Sequence, residues 1–120
     1  MAGEYDREWT TRMDDPARAT RLRFGLSTVD GRPVRFLVQL EYERDGEWRP
    51  VARFDHERGG PAYRDVEISG LHLDVYAPDG TQRRKVTGFP PIDETAAVPA
   101  AEQYLHRHYQ RMIEEYERCL

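Results

Sequence analysis

Apolar and polar residues alternate with a period of two through four segments of the chain, beginning at Leu22. The apolar positions of these segments are Leu22, Phe24 and Leu26, then Val34, Phe36, Val38, Leu40 and Tyr42, then Trp48, Ala52 and Phe54, and then Leu71, Leu73 and Val75. Such alternation is typical of strands with one face on a core and the other in water. The pattern therefore predicts four amphipathic strands, and a weaker fifth strand is expected over residues 82–87.

Asp-Gly pairs separate the predicted strands at Asp30-Gly31, Asp45-Gly46 and Asp79-Gly80. Asp-Gly between alternating segments indicates a hairpin. A three-residue loop over 44–46 would place Tyr42 opposite Trp48 and Phe36 opposite Phe54, which keeps one face apolar. We therefore expect this register rather than that of a two-residue loop.

Two further expectations concern the pairing of these strands. The same reasoning, applied to a loop over residues 29–31, places Phe24 opposite Phe36. Pro50 has no N–H to donate to a neighbouring strand, so we expect it at an unpaired edge position or at a bulge.

The period changes to that of a helix after the break at residues 88–91. Apolar residues then recur at helical spacing, at Ala101, Leu105, Tyr109, Met112 and Tyr116. This predicts a long helix from about Thr95 or Pro99 to Arg118. The fold class is therefore α+β, with an antiparallel β-meander of about five strands packed on one long C-terminal α-helix. Residues 1–19 have no clean period and are expected to form a flexible N-terminal arm before a single domain over 20–120.

Length and composition narrow the class of protein. The chain has 120 residues, enough for one domain, and a formal net charge of −4, which argues against a dedicated non-specific nucleic-acid binder. It has no apolar run long enough for a membrane span and no apolar segment of a secretory signal, so we expect a cytoplasmic protein. Cys119 is the single cysteine and allows neither an intrachain disulfide nor a multi-thiolate metal site.

The candidate chemistry lies where two predicted strands flank the irregular loop over residues 55–70. Arg53 and Asp55 point to the same side of one predicted strand, and His72 and Asp74 point to the same side of the next one. Both pairs lie opposite the apolar positions, so they are expected on the sheet face away from the helix, with His56 close by.

This group of residues is open to three interpretations. A histidine held by an aspartate is a general acid–base pair, and Arg53 could stabilise a phosphoryl transition state, which together suit metal-independent RNA cleavage. His56, His72, Asp55 and Asp74 could instead hold a divalent metal. The group could also consist of charges that pair across strands on a solvated sheet face. No P-loop, dinucleotide motif or nucleophile motif is present, so we predict no cofactor, and Gly59-Gly60-Pro61 is expected to be only a turn.

Two runs of sequence carry a resemblance to a known family. They are WRPVARFDH over Trp48–His56 and GLHLDVY over Gly70–Tyr76, the latter followed by an Asp-Gly turn and a terminal helix. Over residues 20–118 the chain resembles an uncharacterised family of small haloarchaeal and bacterial proteins, a domain of unknown function. More distantly, the Arg-Phe-Asp order before a Gly/Pro-rich loop is similar to TumE-like toxin components of prokaryotic toxin–antitoxin pairs. Those proteins carry a Pro-His-His segment where this chain has GPAYRD at 60–65.

These observations order the functional hypotheses and leave open whether the protein is an enzyme. The first hypothesis is a small soluble prokaryotic interaction or regulatory module that binds a protein partner or a second copy of itself. The second is an RNA-cleaving, toxin-like component that uses His72, Asp74, Arg53, His56 and Asp55. The third is a small metal-binding protein.

Overall fold

The computed structural model describes residues 5–58 and 65–120. In chain order the elements are β1 (Arg7–Arg12), β2 (Thr20–Val29), β3 (Arg32–Arg44), β4 (Glu47–Glu57), α1 (Val66–Ser69), β5 (Leu73–Tyr76), β6 (Gln82–Val86) and α2 (Glu94–Arg118). The strands form one antiparallel sheet in the order β1-β2-β3-β4-β5-β6, which is a meander. The α+β fold and the single long C-terminal helix are therefore confirmed, with six strands in place of about five.

The additional strand lies in the segment expected to be a flexible arm. Residues Arg7–Arg12 form β1 and pair with β2 along its whole length, from Arg7 opposite Leu26 to Arg12 opposite Arg21. All six residues of β1 are exposed, so the strand lacks the buried positions that produce a strong period of two. Its ordering comes from backbone pairing with β2, which a hydrophobic pattern does not register.

The expected hairpin registers are wrong, and the turns explain why. Asp30 and Gly31 have φ angles of 51° and 77°, and Asp45 and Gly46 have φ angles of 53° and 79°. Two consecutive residues with positive φ are the mark of a two-residue type I′ turn, whose twist matches that of the flanking strands. Both loops are therefore two residues long rather than three.

A bulge in each hairpin restores the apolar face that a two-residue loop would otherwise disrupt. Near Pro50, Leu40 pairs with Ala52 while Glu41 pairs with Pro50, so Val51 is the additional residue. The expected bulge at Pro50 is thus confirmed to within one residue.

The bulges change the partners of the aromatic residues. Phe36 lies opposite His56 rather than Phe54. Phe24 lies opposite Val38 rather than Phe36. Tyr42 pairs with Arg49, and Trp48 consequently moves to the opposite face from the one expected.

The sheet has two chemically different faces. The inner face carries the apolar residues Leu22, Phe24, Phe36, Val38, Leu40, Phe54, Leu73 and Val75, which are buried beneath α2 and α1. The outer face carries the alternate residues, among them Arg23, Gln39, Arg53 and Asp74. The candidate chemistry predicted from the sequence therefore lies mainly on the face opposite the helices.

Helix α2 begins one residue before the expected start and packs chiefly on β3 and β4. Asp93 caps it, since its side chain accepts a hydrogen bond from the backbone N–H of Thr95. Pro99 is the sixth helical residue, so it lies beyond the first turn and leaves one main-chain carbonyl without its helical N–H. The buried side of α2 carries Ala97, Ala101, Leu105, Met112, Ile113 and Tyr116.

The loop expected over residues 55–70 is shorter than predicted. Strand β4 continues to Glu57, and α1 occupies Val66–Ser69, with Val66 in the core. Gly59-Gly60-Pro61 and the rest of residues 59–64 lie outside the described residues.

Replacement of Leu105 by alanine tests the docking of α2. Leu105 is fully buried, and emptying such a site usually costs about 2–5 kcal/mol. We expect Leu105→Ala to lower the free energy of unfolding by that amount in a denaturant titration. Gln103→Ala, at an exposed position of the same helix, should change it by less than about 0.5 kcal/mol. Equal effects from the two variants would show that α2 is not docked through Leu105.

Candidate functional site

One residue from each strand contributes to a continuous polar row across the outer face. Direct cross-strand partners follow one another in the order Thr10, Arg23, Gln39, Arg53, Asp74, Lys85. We call these six residues the polar row. The three irregularities of register lie elsewhere, at positions 27/28, 40/41 and 75/76. Directly opposed residues point to the same side of a sheet, so the row is unbroken from one edge to the other.

Hydrogen bonds hold the middle of the polar row in one arrangement. Arg53 Nε donates to Gln39 Oε1 at 2.6 Å, and Gln39 Nε2 donates to Glu41 Oε2 at 2.6 Å. Arg21 Nε donates to the other Glu41 oxygen, also at 2.6 Å. Gln39 and Glu41 are each only 3% exposed, although both described helices pack on the opposite face. Their burial is tolerated because both side chains have hydrogen-bond partners.

Aromatic rings flank the polar row and are covered by arginines of the same chain. The Arg53 guanidinium carbon lies 5.4 Å from the centroid of the Tyr76 ring. Those of Arg21 and Arg12 lie 4.2 Å and 5.0 Å from the ring centroid of Trp48. These distances are typical of cation–π contacts, which fix the position of long arginine side chains.

Tyr5 adds a third stack, and a glycine makes room for it. Arg35 lies over the Tyr5 ring at 4.2 Å. A Cβ atom added at Gly25 would lie 2.5 Å from a ring carbon of Tyr5, closer than side chains approach one another. A larger residue at position 25 would therefore displace Tyr5 from the outer face.

The structure brings together most of the residues predicted as a catalytic group. Arg53 and Asp74 are directly opposed, Asp55 is two residues beyond Arg53 on the same face, and His72 immediately precedes β5. Desolvation by the surrounding protein raises the pKa of Asp55 above its ordinary value; Arg53 opposes this shift, and Asp74 adds to it. A carboxyl group between a cation and a second carboxylate is thus a feature of the outer face.

His56 is separated from this group because it lies on the inner face. Its ring stacks on Phe36 at 5.2 Å between centroids, and Nε2 lies 3.0 Å from Glu94 Oε2. Both side chains are almost completely buried. Since an ionised carboxylate only accepts hydrogen bonds, His56 Nε2–H donates to Glu94.

Glu94 is the first residue of α2 and joins the helix to the end of β4. Arg58 donates to Glu94 Oε1, and Arg32 lies 3.5 Å from the same oxygen. Burial alone would raise the pKa of Glu94, but the hydrogen bonds from Arg58 and His56 outweigh it and hold the pKa below its ordinary value. His56, Arg58 and Glu94, which we call the inner clasp, thus join sheet and helix through a buried carboxylate that contacts a buried histidine and a partly exposed arginine.

Two residues of these sites, Glu94 and Tyr5, were not predicted from the sequence. Glu94 follows an Asp that precedes a helix, a pattern that predicts a helix start but not a contact with His56, 38 positions away in the chain. Tyr5 lies in the segment expected to be a flexible arm, and only the unexplained Gly25 within an alternating strand pointed to a close approach there.

The described residues limit the chemistry that the site can be assigned. Among residues 5–58 and 65–120, no group of three or more His, Cys, Asp and Glu side chains is placed to hold a metal ion. The metal-binding hypothesis therefore has no support in this part of the chain. No helix in the same residues is long and apolar enough to cross a membrane.

Fold and site together define a small α+β protein, in which a six-stranded meander is covered on one face by a long helix and carries a polar row on the other. The chain belongs to the family described as domain of unknown function (DUF7718), whose sequence model matches residues 3–120. Searches of the curated proteins and of the solved structures found no match. The expected membership of a domain of unknown function is thus confirmed, whereas neither a haloarchaeal origin nor a likeness to TumE-like toxins finds support.

The inner clasp makes a prediction about acid stability. Because the pKa of Glu94 is lower in the folded protein than in the unfolded chain, its contribution is fully present above the ordinary value of 4.5 and is lost as the pH falls below it. Glu94→Gln should lower the free energy of unfolding by about 1.5–3 kcal/mol at neutral pH, the usual contribution of a hydrogen bond to a charged group. The difference from the wild type should shrink in acid.

Glu114→Gln is the matched control, because Glu114 is an exposed residue of the same helix. Denaturant titrations of the three proteins at neutral and acidic pH provide the comparison. A Glu94→Gln deficit that stayed constant from neutral to strongly acidic pH would show that the charge of Glu94 does not stabilise the fold.

Proposed function

We propose that this protein is an interaction module that binds a protein partner through its outer face. The observation that carries the proposal is the set of arginine-on-aromatic stacks around a polar row whose central residue, Gln39, is buried and hydrogen-bonded. Both described helices pack on the inner face rather than on this one. The proposal includes the cytoplasmic, prokaryotic setting expected from the sequence, which cell fractionation would test.

The residue types of the outer face favour a protein partner. Arg, Tyr and Trp are the residues that most often carry binding energy in protein interfaces. Here Trp48, Tyr76 and their covering arginines are held in place before any partner arrives. Ordering long side chains costs about 0.5–1.5 kcal/mol each during association. A surface that is already ordered avoids much of that cost.

Two observations favour a protein over a single-stranded nucleic acid. Bases bind such sheets by stacking on open aromatic faces, but the rings of Trp48, Tyr76 and Tyr5 are covered by guanidinium groups. The cations of the polar row also have acidic neighbours, since Arg23 lies 3.0 Å from Glu8 and Lys85 lies 3.7 Å from Asp74. A mixed-charge surface of this kind suits the polar rim of a protein interface.

Site-specific photocrosslinking tests the proposal. A photoreactive amino acid replaces Lys85 on the outer face or, as a control, Gln103 on the exposed side of α2. We expect a discrete adduct with one protein from position 85 and none from position 103. Mass spectrometry would identify that protein, so that it could be purified.

Binding of the purified pair then decides the matter. Arg23→Glu and Lys85→Glu should each weaken binding about tenfold, as expected of interface residues that carry binding energy. Arg107→Glu, a charge reversal on exposed α2, should have no such effect. Thermal melts would confirm that all three variants are folded. Equal adducts from positions 85 and 103, or equal affinities of the three variants, would contradict the proposal.

A second candidate function is RNA cleavage, the alternative raised by the sequence. The raised pKa of Asp55 beside Arg53 and Asp74 is the observation that favours it, because a proton donor next to a cation suits phosphoryl chemistry. We would compare the wild type with His72→Ala and Asp74→Ala for RNA cleavage and for growth inhibition on expression. Cleavage by the wild type that is lost in both variants would favour this function. Three equally inert and harmless proteins would exclude it.

A further inference from the structure

The two edges of the sheet differ in charge. Edge strand β6 carries three consecutive cations, Arg83-Arg84-Lys85. Charged residues on an edge strand prevent it from pairing with a second sheet. Edge strand β1, with the sequence REWTTR, carries charges of both signs, at Arg7, Glu8 and Arg12, beside two threonines and an exposed tryptophan. It therefore lacks the run of like charges that protects β6.

Trp9 is the apolar residue on the inner side of the β1 edge, where the Arg7 guanidinium lies 5.8 Å from the centroid of its ring. Its ring stacks on Phe24, with centroids 4.9 Å apart and planes 3° apart, and yet the residue is 39% exposed. Helix α2 packs chiefly on β3 and β4, so it does not extend over Trp9. An apolar side chain held rigidly at an open edge is the kind of surface that association buries.

We infer that β1 pairs with β1 of a second copy of this chain, antiparallel, to form a closed dimer with a continuous twelve-stranded sheet. A two-fold axis perpendicular to the sheet keeps the inner faces of the two copies on the same side. Residues that oppose each other across the contact must then point to the same face. The axis therefore lies at the level of one residue, which opposes its own copy, and not between two successive residues. With Trp9 on the axis, the two Trp9 side chains meet. Arg7 then lies opposite Thr11 and Glu8 opposite Thr10, so no like charges are opposed.

The charges also explain why the pairing stops at two copies. A β6–β6 pair centred on Arg84 would oppose Arg84 with itself and Arg83 with Lys85. A β1–β6 pair would bring the two arginines and one glutamate of β1 against the three cations of β6. Only the β1–β1 contact is free of repulsion. It uses the same surface on both copies, so it closes on itself and does not propagate into a fibre.

The contact is small, so the dimer should be weak and depend on concentration. Interfaces below about 1,200 Å² belong to weak or transient complexes. Sedimentation velocity from low to high micromolar concentration should show a reversible monomer–dimer equilibrium. A strict monomer at the highest concentration would overturn the inference.

A charge pair at one exposed position gives the sharper test. In this register Thr11 faces Arg7 of the second copy, twice in the dimer. Thr11→Lys should weaken dimerisation by about tenfold, and Thr11→Glu should strengthen it, because directly opposed like charges repel and unlike charges attract. Gln103→Lys and Gln103→Glu, on exposed α2, are the matched controls and should behave as the wild type.

The possible outcomes separate this inference from the proposed function. A dimer that responds identically to Thr11→Lys and Thr11→Glu would use another surface and would overturn the β1 pairing. Lys85→Glu, on β6 at the far edge of the sheet, weakens partner binding on the outer face and should leave sedimentation unchanged. The two ideas can therefore fail independently.

Discussion

One helix has to cover an apolar sheet face that is much wider than itself, and most of the architecture follows from this mismatch. Six strands at their usual spacing of about 4.8 Å span roughly 24 Å, whereas a helix with its side chains is about 10 Å wide. Helix α2 therefore covers the centre, β3 and β4. The flank at β2 is closed by other means, since Trp9 of β1 stacks on Phe24.

On the outer face, neither of the two described helices forms a covering layer. Arginine side chains take the place of a second layer, since their stems lie along the sheet and their guanidinium groups cover Trp48, Tyr76 and Tyr5. Gln39 and Glu41 then lie beneath them in a partly dry environment, where each hydrogen bond is stronger than in water. The side chains of such a surface are already ordered before a partner binds.

The sequence predicted the fold correctly in those elements where burial of one face imposes a regular spacing of apolar residues. The inner-face positions of β2, β3 and β5, the long C-terminal helix and the shared face of Arg53, Asp55 and Asp74 all follow from alternation or helical spacing. The hairpin registers could not be predicted in this way. A type I′ turn followed by a bulge and a three-residue loop both leave the same alternation of faces beyond the loop, so the pattern does not distinguish them. Trp48 shows the consequence, since a single additional residue at Val51 moved it from the inner to the outer face.

Contacts between distant parts of the chain could not be predicted from the spacing of apolar and polar residues. Strand β1 is exposed throughout, so its sequence carries no periodic signal even though its backbone is paired with β2. The inner clasp joins His56 to Glu94, and no pattern in the sequence around either residue indicates this contact. His56 was grouped with Asp55 because they are adjacent in sequence, whereas adjacent strand residues point to opposite faces.

The meander has a consequence for the order in which the protein is made. The strands pair with their neighbours in sequence, so hairpins can form as soon as each segment leaves the ribosome, and local contacts of this kind form rapidly. The helix that covers Phe36, Val38 and Phe54 follows all six strands in the chain and is synthesised after them. During translation the nascent sheet therefore exposes its apolar face until α2 emerges, and transiently exposed apolar surface of this kind is prone to aggregation.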